Sequence, residues 1–232
     1  MSSIVLVGGS FLGAWAWERV TPALTAAGHD VHPLTLTGLG DRAHLGSAET
    51  TLATHVRDIT AAIEYAGLRD VVLVSHSYSG APATIAAAQI PDRIARLVHI
   101  AAVVPEGGKS LFDLMPPEFE EAIMQTVVDG RIQVMSDEIM DANFGEHGFT
   151  PEDRAWLHTR SVGHPINTFR DSAPADLGAV ETLPRTFVAC TGDPGDPIAP
   201  PGHDLVTLDA GHWPMITKPT ELAELLDKLA RS

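Results

Sequence analysis

Ile4-Val5-Leu6-Val7 and Val71-Val72-Leu73-Val74 are runs with no polar side. A chain buries such runs as central strands of a parallel sheet covered on both faces. Further β-branched runs fall at 31–36, 94–103, 186–190 and 205–208. Helical patterns separate most of them. Val20, Leu24 and Ala27 share one side of a helix that stops at Gly28, and 52–66 reads as a helix ended by Gly67. An Ala-rich helix over 81–89 is closed by Pro91, and a last helix starts at Pro219 with Leu222, Leu225, Leu226 and Leu229 at i, i+3, i+4 and i+7. Strands alternating with crossover helices predict an α/β fold, a mostly parallel sheet flanked by helices.

One stretch breaks the alternation. Between Pro105 and Pro184 strand-like runs vanish, and four of the six methionines lie there beside several phenylalanines. An insertion of roughly 80 residues between two core strands is too long for a loop. It predicts a cap sub-domain over 105–184 on a core built from 1–104 and 185–232. Most of its apolar residues pack among themselves. Met115 and Met140 are expected to line a pocket, since methionine fills irregular apolar sites.

Composition removes several classes of function. The 232 residues carry 15 basic and 30 acidic side chains, a net charge of −15, so phosphate backbones are poor partners and no nucleic acid is expected. The one cysteine, Cys190, rules out an intramolecular disulfide and a multi-cysteine zinc site. The 11 histidines show no HExxH-like spacing, so no metal is expected. No apolar run approaches the roughly 20 residues of a membrane helix. MSSIVLVGGS has no basic segment ahead of its strand, which predicts a cytoplasmic chain without a signal peptide. A homodimer stays open.

Three segments carry residues suited to chemistry. Ser77 stands where a buried strand meets a helix, with small residues at Ser75, Ser79 and Gly80. A sharp turn of that kind lifts a nucleophile above the sheet and tolerates only small neighbours. The helix behind it directs N–H groups and a positive dipole end at charge developing beside Ser77. His212 lies in Ala210-Gly211-His212-Trp213-Pro214, after the last strand, where a general base could reach the same sheet edge. An acid should leave the strand before it. Asp193 and Asp196 both follow that strand, and the stretch Asp196-Pro197-Ile198-Ala199-Pro200 favours Asp196, with Asp193 the alternative and Glu106 a distant third. The chain order Ser, acid, His fits a nucleophile-elbow hydrolase.

Gly8-Gly9-Ser10-Phe11-Leu12-Gly13 follows the first strand but is not a dinucleotide fingerprint. Ser10 occupies the place of the middle glycine, and no acid ends the second strand. No cofactor is expected. The loop instead offers the Ser10 N–H as one oxyanion donor, with the Tyr78 N–H as the other.

These residues resemble the α/β-hydrolase superfamily over essentially the whole chain, and above all its small methylesterase/hydroxynitrile-lyase-like branch. Ile4 through Trp15 is similar to that branch's opening strand, oxyanion loop and "GAW" helix start; Gly211-His212-Trp213-Pro214-Met215 with Lys218-Pro219 is similar to its histidine motif. The resemblance implies Ser77 as nucleophile, His212 as base, Asp196 or Asp193 as acid, and a cap over the pocket. Phe11 and Trp213 join Met115 and Met140 as expected substrate contacts. Gly8 stands where the family's usual histidine would be, and the elbow is serine-rich. Only about 15 residues separate Asp196 from His212, so the family's helix there should be missing or reduced to a turn. Lyase members carry a lysine after the histidine where this chain has Trp213. The expected activity is hydrolysis of a small, largely apolar carboxylic ester, lactone or thioester through an acyl-enzyme on Ser77. A biosynthetic cyclase, lyase or acyltransferase, or a non-enzymatic ligand receptor, is the alternative.

Overall fold

Each β-branched run noted in the sequence forms a strand, and one sheet takes all six. The computed structural model describes residues 1–145 and 147–232. The chain passes through β1 (Ser3–Val7), α1 (Thr21–Ala26), β2 (Asp30–Leu34), α2 (Leu52–Tyr65), β3 (Val71–His76), α3 (Gly80–Gln89) and β4 (Ile94–Ile100). An excursion follows, with α4 (Pro117–Gln125), β5 (Val127–Val128), β6 (Arg131–Ile132), α5 (Asp137–Phe144), α6 (Pro151–Arg160), β7 (His164–Pro165) and α7 (Asn167–Arg170). The chain then returns through β8 (Arg185–Cys190), β9 (Asp204–Leu208), α8 (Pro214–Thr217) and α9 (Pro219–Arg231).

The large sheet has the order β2-β1-β3-β4-β8-β9, and every pair in it is parallel. Going out to β2 and back to β3, the chain reverses direction between β1 and β3. The crevice beyond the carboxyl ends of those two strands is where such sheets bind ligands. Alternate residues serve the two faces. Val5, Val7 and Leu73 pack with Ile59 and Ile63 of α2 and Ala83 of α3, whereas Ile4, Leu6, Val72 and Val74 pack with Leu24 of α1 and Leu222 of α9. Each fully buried leucine or isoleucine in these layers contributes about 1.5–3 kcal/mol over an exposed one. A capping box between Thr51 and Thr54 fixes the start of α2, worth about 1 kcal/mol.

Strand ends differ from the sequence reading by a few residues, each for a local reason. β3 continues through Ser75 and His76 because both polar side chains are buried and bonded. β4 stops at Ile100 rather than at 103, since Ala101 turns to φ +43°. The excursion holds strands after all: β5, β6 and β7 form a separate antiparallel sheet of two-residue strands. Among the described residues no helix is long and apolar enough to cross a membrane.

Candidate active site

Ser77 follows β3 directly and adopts φ +53°. A left-handed conformation of this kind costs a non-glycine residue about 1–3 kcal/mol and persists only where the surroundings hold it. Here they do. The His76 N–H donates to Ser79 Oγ (2.9 Å), and the Ser79 hydroxyl lies 2.9 Å from the carbonyls of both Val7 and His76. The Ser77 carbonyl in turn accepts from the Val103 N–H at 3.0 Å. Ser79 therefore ties the elbow to β1 with a hydroxyl that glycine lacks. Ser75, the other unusual flanking serine, is bonded to His99 Nδ1 at 2.7 Å. Gly80 is required by space: a Cβ there would run into the Val103 carbonyl oxygen.

His212 hangs in the coil between β9 and α8. Its Nε2 lies 3.1 Å from Ser77 Oγ and its Nδ1 2.9 Å from Asp193 Oδ2. With the proton on Nδ1, the ring donates to the carboxylate and accepts from the serine hydroxyl. The preference for Asp196 is corrected at this point. The Thr191 and Gly192 N–H groups donate to the Leu208 and Ala210 carbonyls, both at 2.9 Å, so the pairing of β8 with β9 runs on past Cys190. The next side chain, Asp193, therefore emerges level with His212. Asp196 lies beyond the turn at Gly195 (φ +96°) and is exposed. Glu106 is also exposed and paired with Lys109 at 2.6 Å. No helix occupies 191–203, as the short spacing had suggested.

The loop after β1 comes down onto the elbow. A Cβ on Gly9 would stand 2.9 Å from Ser77 Cβ and 2.8 Å from His76 Nδ1, so only glycine permits the approach. Ser10 follows, and Phe11 takes φ +69° while its carbonyl accepts from the Val162 N–H of the excursion at 3.2 Å. Tyr78 is the second residue of a 3-10 turn, Ser77–Ser79, where opening N–H groups lack partners within the turn. Its side chain points away from the elbow into the core, 2.8 Å from His55 Nδ1.

Of the four expected substrate contacts, Trp213 and Met140 are buried in one apolar cluster. Phe11 is buried in the cluster on the other face of the sheet, and half-buried Met115 belongs to neither. Trp213 meets the His212 ring edge-to-face at 4.8 Å, meets Phe144 edge-to-face at 5.2 Å, and lies tilted against Phe149 at 5.4 Å. Sequence reasoning missed Phe144. From the end of α5 its ring covers the His212 imidazole at 4.2 Å. Gly145 beside it would place a Cβ 3.1 Å from the Gly192 carbonyl oxygen, next to Asp193. Only the clustering of aromatic residues in the excursion hinted at such a contact.

Four imidazoles are buried as neutral groups. Burial, the largest cause, pushes His55 down to about 4 and His99 to about 3. It also holds His76 and His164 well below the usual histidine range. The unfolded chain therefore binds more protons than the folded one between those values and 6.5, and stability rises with pH across that window. Each such group contributes up to about 1.4 kcal/mol per pH unit. Lowering pH from 6.5 to 4 should reduce Tm steeply in calorimetry; a flat Tm over that range would contradict neutral burial.

The residues 4–225 match the model of the alpha/beta hydrolase family. The chain is 33% identical to a carbendazim hydrolyzing esterase of Nocardioides sp. (strain SG-4G), covering 99% of this chain and 100% of that one. It is 26% identical to methylesterase 9 of Arabidopsis thaliana over 99% and 98% of the two. Among solved structures it overlays an extracellular alpha/beta-hydrolase from a Paenibacillus species with a TM-score of 0.86 at 21% identity, over the full length of both chains. With a left-handed serine at a strand-to-helix turn on a parallel sheet, and a family model spanning nearly all of it, the chain belongs to the alpha/beta hydrolase family, in the branch that holds the methylesterases.

Proposed function

We propose that the chain hydrolyses a small, largely apolar carboxylic ester, lactone or thioester, with Ser77, His212 and Asp193 as its catalytic triad. The observation that carries this reading is the continuous relay from Ser77 Oγ to His212 (3.1 Å) and from His212 to Asp193 (2.9 Å). Ser77 Oγ attacks the carbonyl carbon as His212 Nε2 takes its proton, and the Asp193 carboxylate stabilises the imidazolium. The oxyanion sits between the N–H groups of Ser10 and Tyr78. His212 then returns the proton to the leaving group. A water activated by His212 releases the acid from Ser77. Residues 105–184 act as the cap, and their contacts with Phe11, His212 and the acid loop support that role. No cofactor enters, the partner is a small molecule, and the setting in this reading is the cytoplasm.

A lyase on the same scaffold would need a cation beside the departing anion in a dry pocket. Trp213 offers only an indole N–H, and Lys218 is half-exposed beside Glu221 at 3.9 Å. The test is a panel of short p-nitrophenyl and methyl esters, with carbendazim included because one relative is named for it, set against mandelonitrile. Turnover of at least one ester, with no cyanide release above the buffer rate, is expected. Rapid, Ser77-dependent cyanide release would overturn the esterase reading.

A further inference from the structure

We propose that His76, which precedes the nucleophile and takes no part in the proton relay, is the positioning residue that locks the base loop and the oxyanion loop onto the elbow. The inference rests on the triad reading above. Its first support is a single bond. His76 Nε2 lies 2.7 Å from the main-chain carbonyl of His212. A carbonyl only accepts, so Nε2 carries the proton and donates.

That bond has no substitute. Among the described residues, no backbone N–H reaches the His212 carbonyl, and the neighbouring turn bonds use the carbonyls of Ala210 and Trp213 instead. The His212 peptide therefore lies between β9 and α8 with this one recorded anchor. Rotation of that peptide would swing the imidazole away from either Ser77 or Asp193, since both contacts leave the same ring.

The other edge of His76 faces the oxyanion loop. Its Nδ1 is buried without a hydrogen-bond partner among the described residues, at the spot where Gly9 presses closest. A Cβ on Gly9 would stand 2.8 Å from that nitrogen and 3.2 Å from the adjacent carbon. One ring, 1% exposed, thus touches the loop that supplies an oxyanion donor and the loop that supplies the base, while its own backbone leads into Ser77. Because the ring is neutral, it adds no charge beside His212 in the resting site.

The experiment compares His76→Gln with His76→Met. Both side chains are unbranched and similar in length, and only glutamine can donate an N–H near the position of Nε2. With p-nitrophenyl butyrate, we expect His76→Met to lower kcat about 10- to 100-fold with KM within threefold. His76→Gln should recover at least fivefold of that loss. Circular dichroism and Tm on both variants separate misplacement from misfolding. If His76→Met does not fold, His76→Gln against wild type decides: kcat within about threefold supports the anchor, and a loss as large as 100-fold overturns it. Equal kcat for the two variants, or a His76→Met enzyme within twofold of wild type, also overturns it. A Ser77→Ala enzyme that kept its activity would instead sink the triad reading on which this rests.

Discussion

Replacing Ser77 with alanine is expected to lower kcat by about 10⁶-fold, because triad members act as a unit and their loss is not shared out among neighbours. The fold should survive. The elbow is held by Ser79, Val7 and Val103 rather than by the Ser77 hydroxyl, whose one hydrogen-bond partner among the described residues is His212. Alanine keeps the Cβ and therefore the backbone strain at φ +53°, so Tm should move by no more than a few degrees. The measurement is ester turnover beside thermal unfolding of both proteins. A variant retaining a tenth of the wild-type rate would remove Ser77 from the nucleophile role.

The second large effect separates two aspartates three positions apart. Asp193→Asn should lower kcat by about 10³- to 10⁴-fold, since an amide facing His212 Nδ1 disturbs the tautomer that leaves Nε2 free to accept from serine. Asp196→Asn should change kcat by less than twofold, its exposed carboxylate having no bond to the relay among the described residues. Michaelis parameters for the two variants on one ester decide the matter. The opposite ranking would return the acid to Asp196, and two mild effects would point to a third group.

The preference for Asp196, where the geometry places Asp193 against His212, shows what a sequence does and does not carry. Asp-Pro-Ile-x-Pro is a local pattern, whereas the acid is set by how far β8 stays paired with β9. That extent is decided by the Thr191 and Gly192 N–H groups meeting carbonyls on a strand 17 or more positions away. No spacing in 191–200 encodes it. The central strands were legible because burial on both faces leaves continuous apolar runs, as at Ile4–Val7. β5, β6 and β7 were not, because two residues cannot show a period, and β6 finds β7 across some thirty intervening residues. Ser77 and His212 were legible for a different reason: each sits at a strand end where turn chemistry restricts the neighbours. His76 and Phe144 look ordinary in sequence and gain meaning only from what lies across the crevice.

The proposed triad is drawn from regions of unequal strength. Ser77 extends β3, every residue of which is buried, whereas the acid and the base flank β9 at the margin of the sheet, where Asp204 and Thr207 are exposed and Leu205 is 44% exposed. A strand paired on one side and wet on both faces opens at a fraction of the global unfolding free energy. Amides of β9 should then exchange with deuterium well before those of β3. Catalysis would lapse each time that margin peels, while the rest of the molecule stays folded. On warming, inactivation should begin below the temperature at which helical signal is lost, so the working range of this catalyst is set by its outermost strand and not by its core.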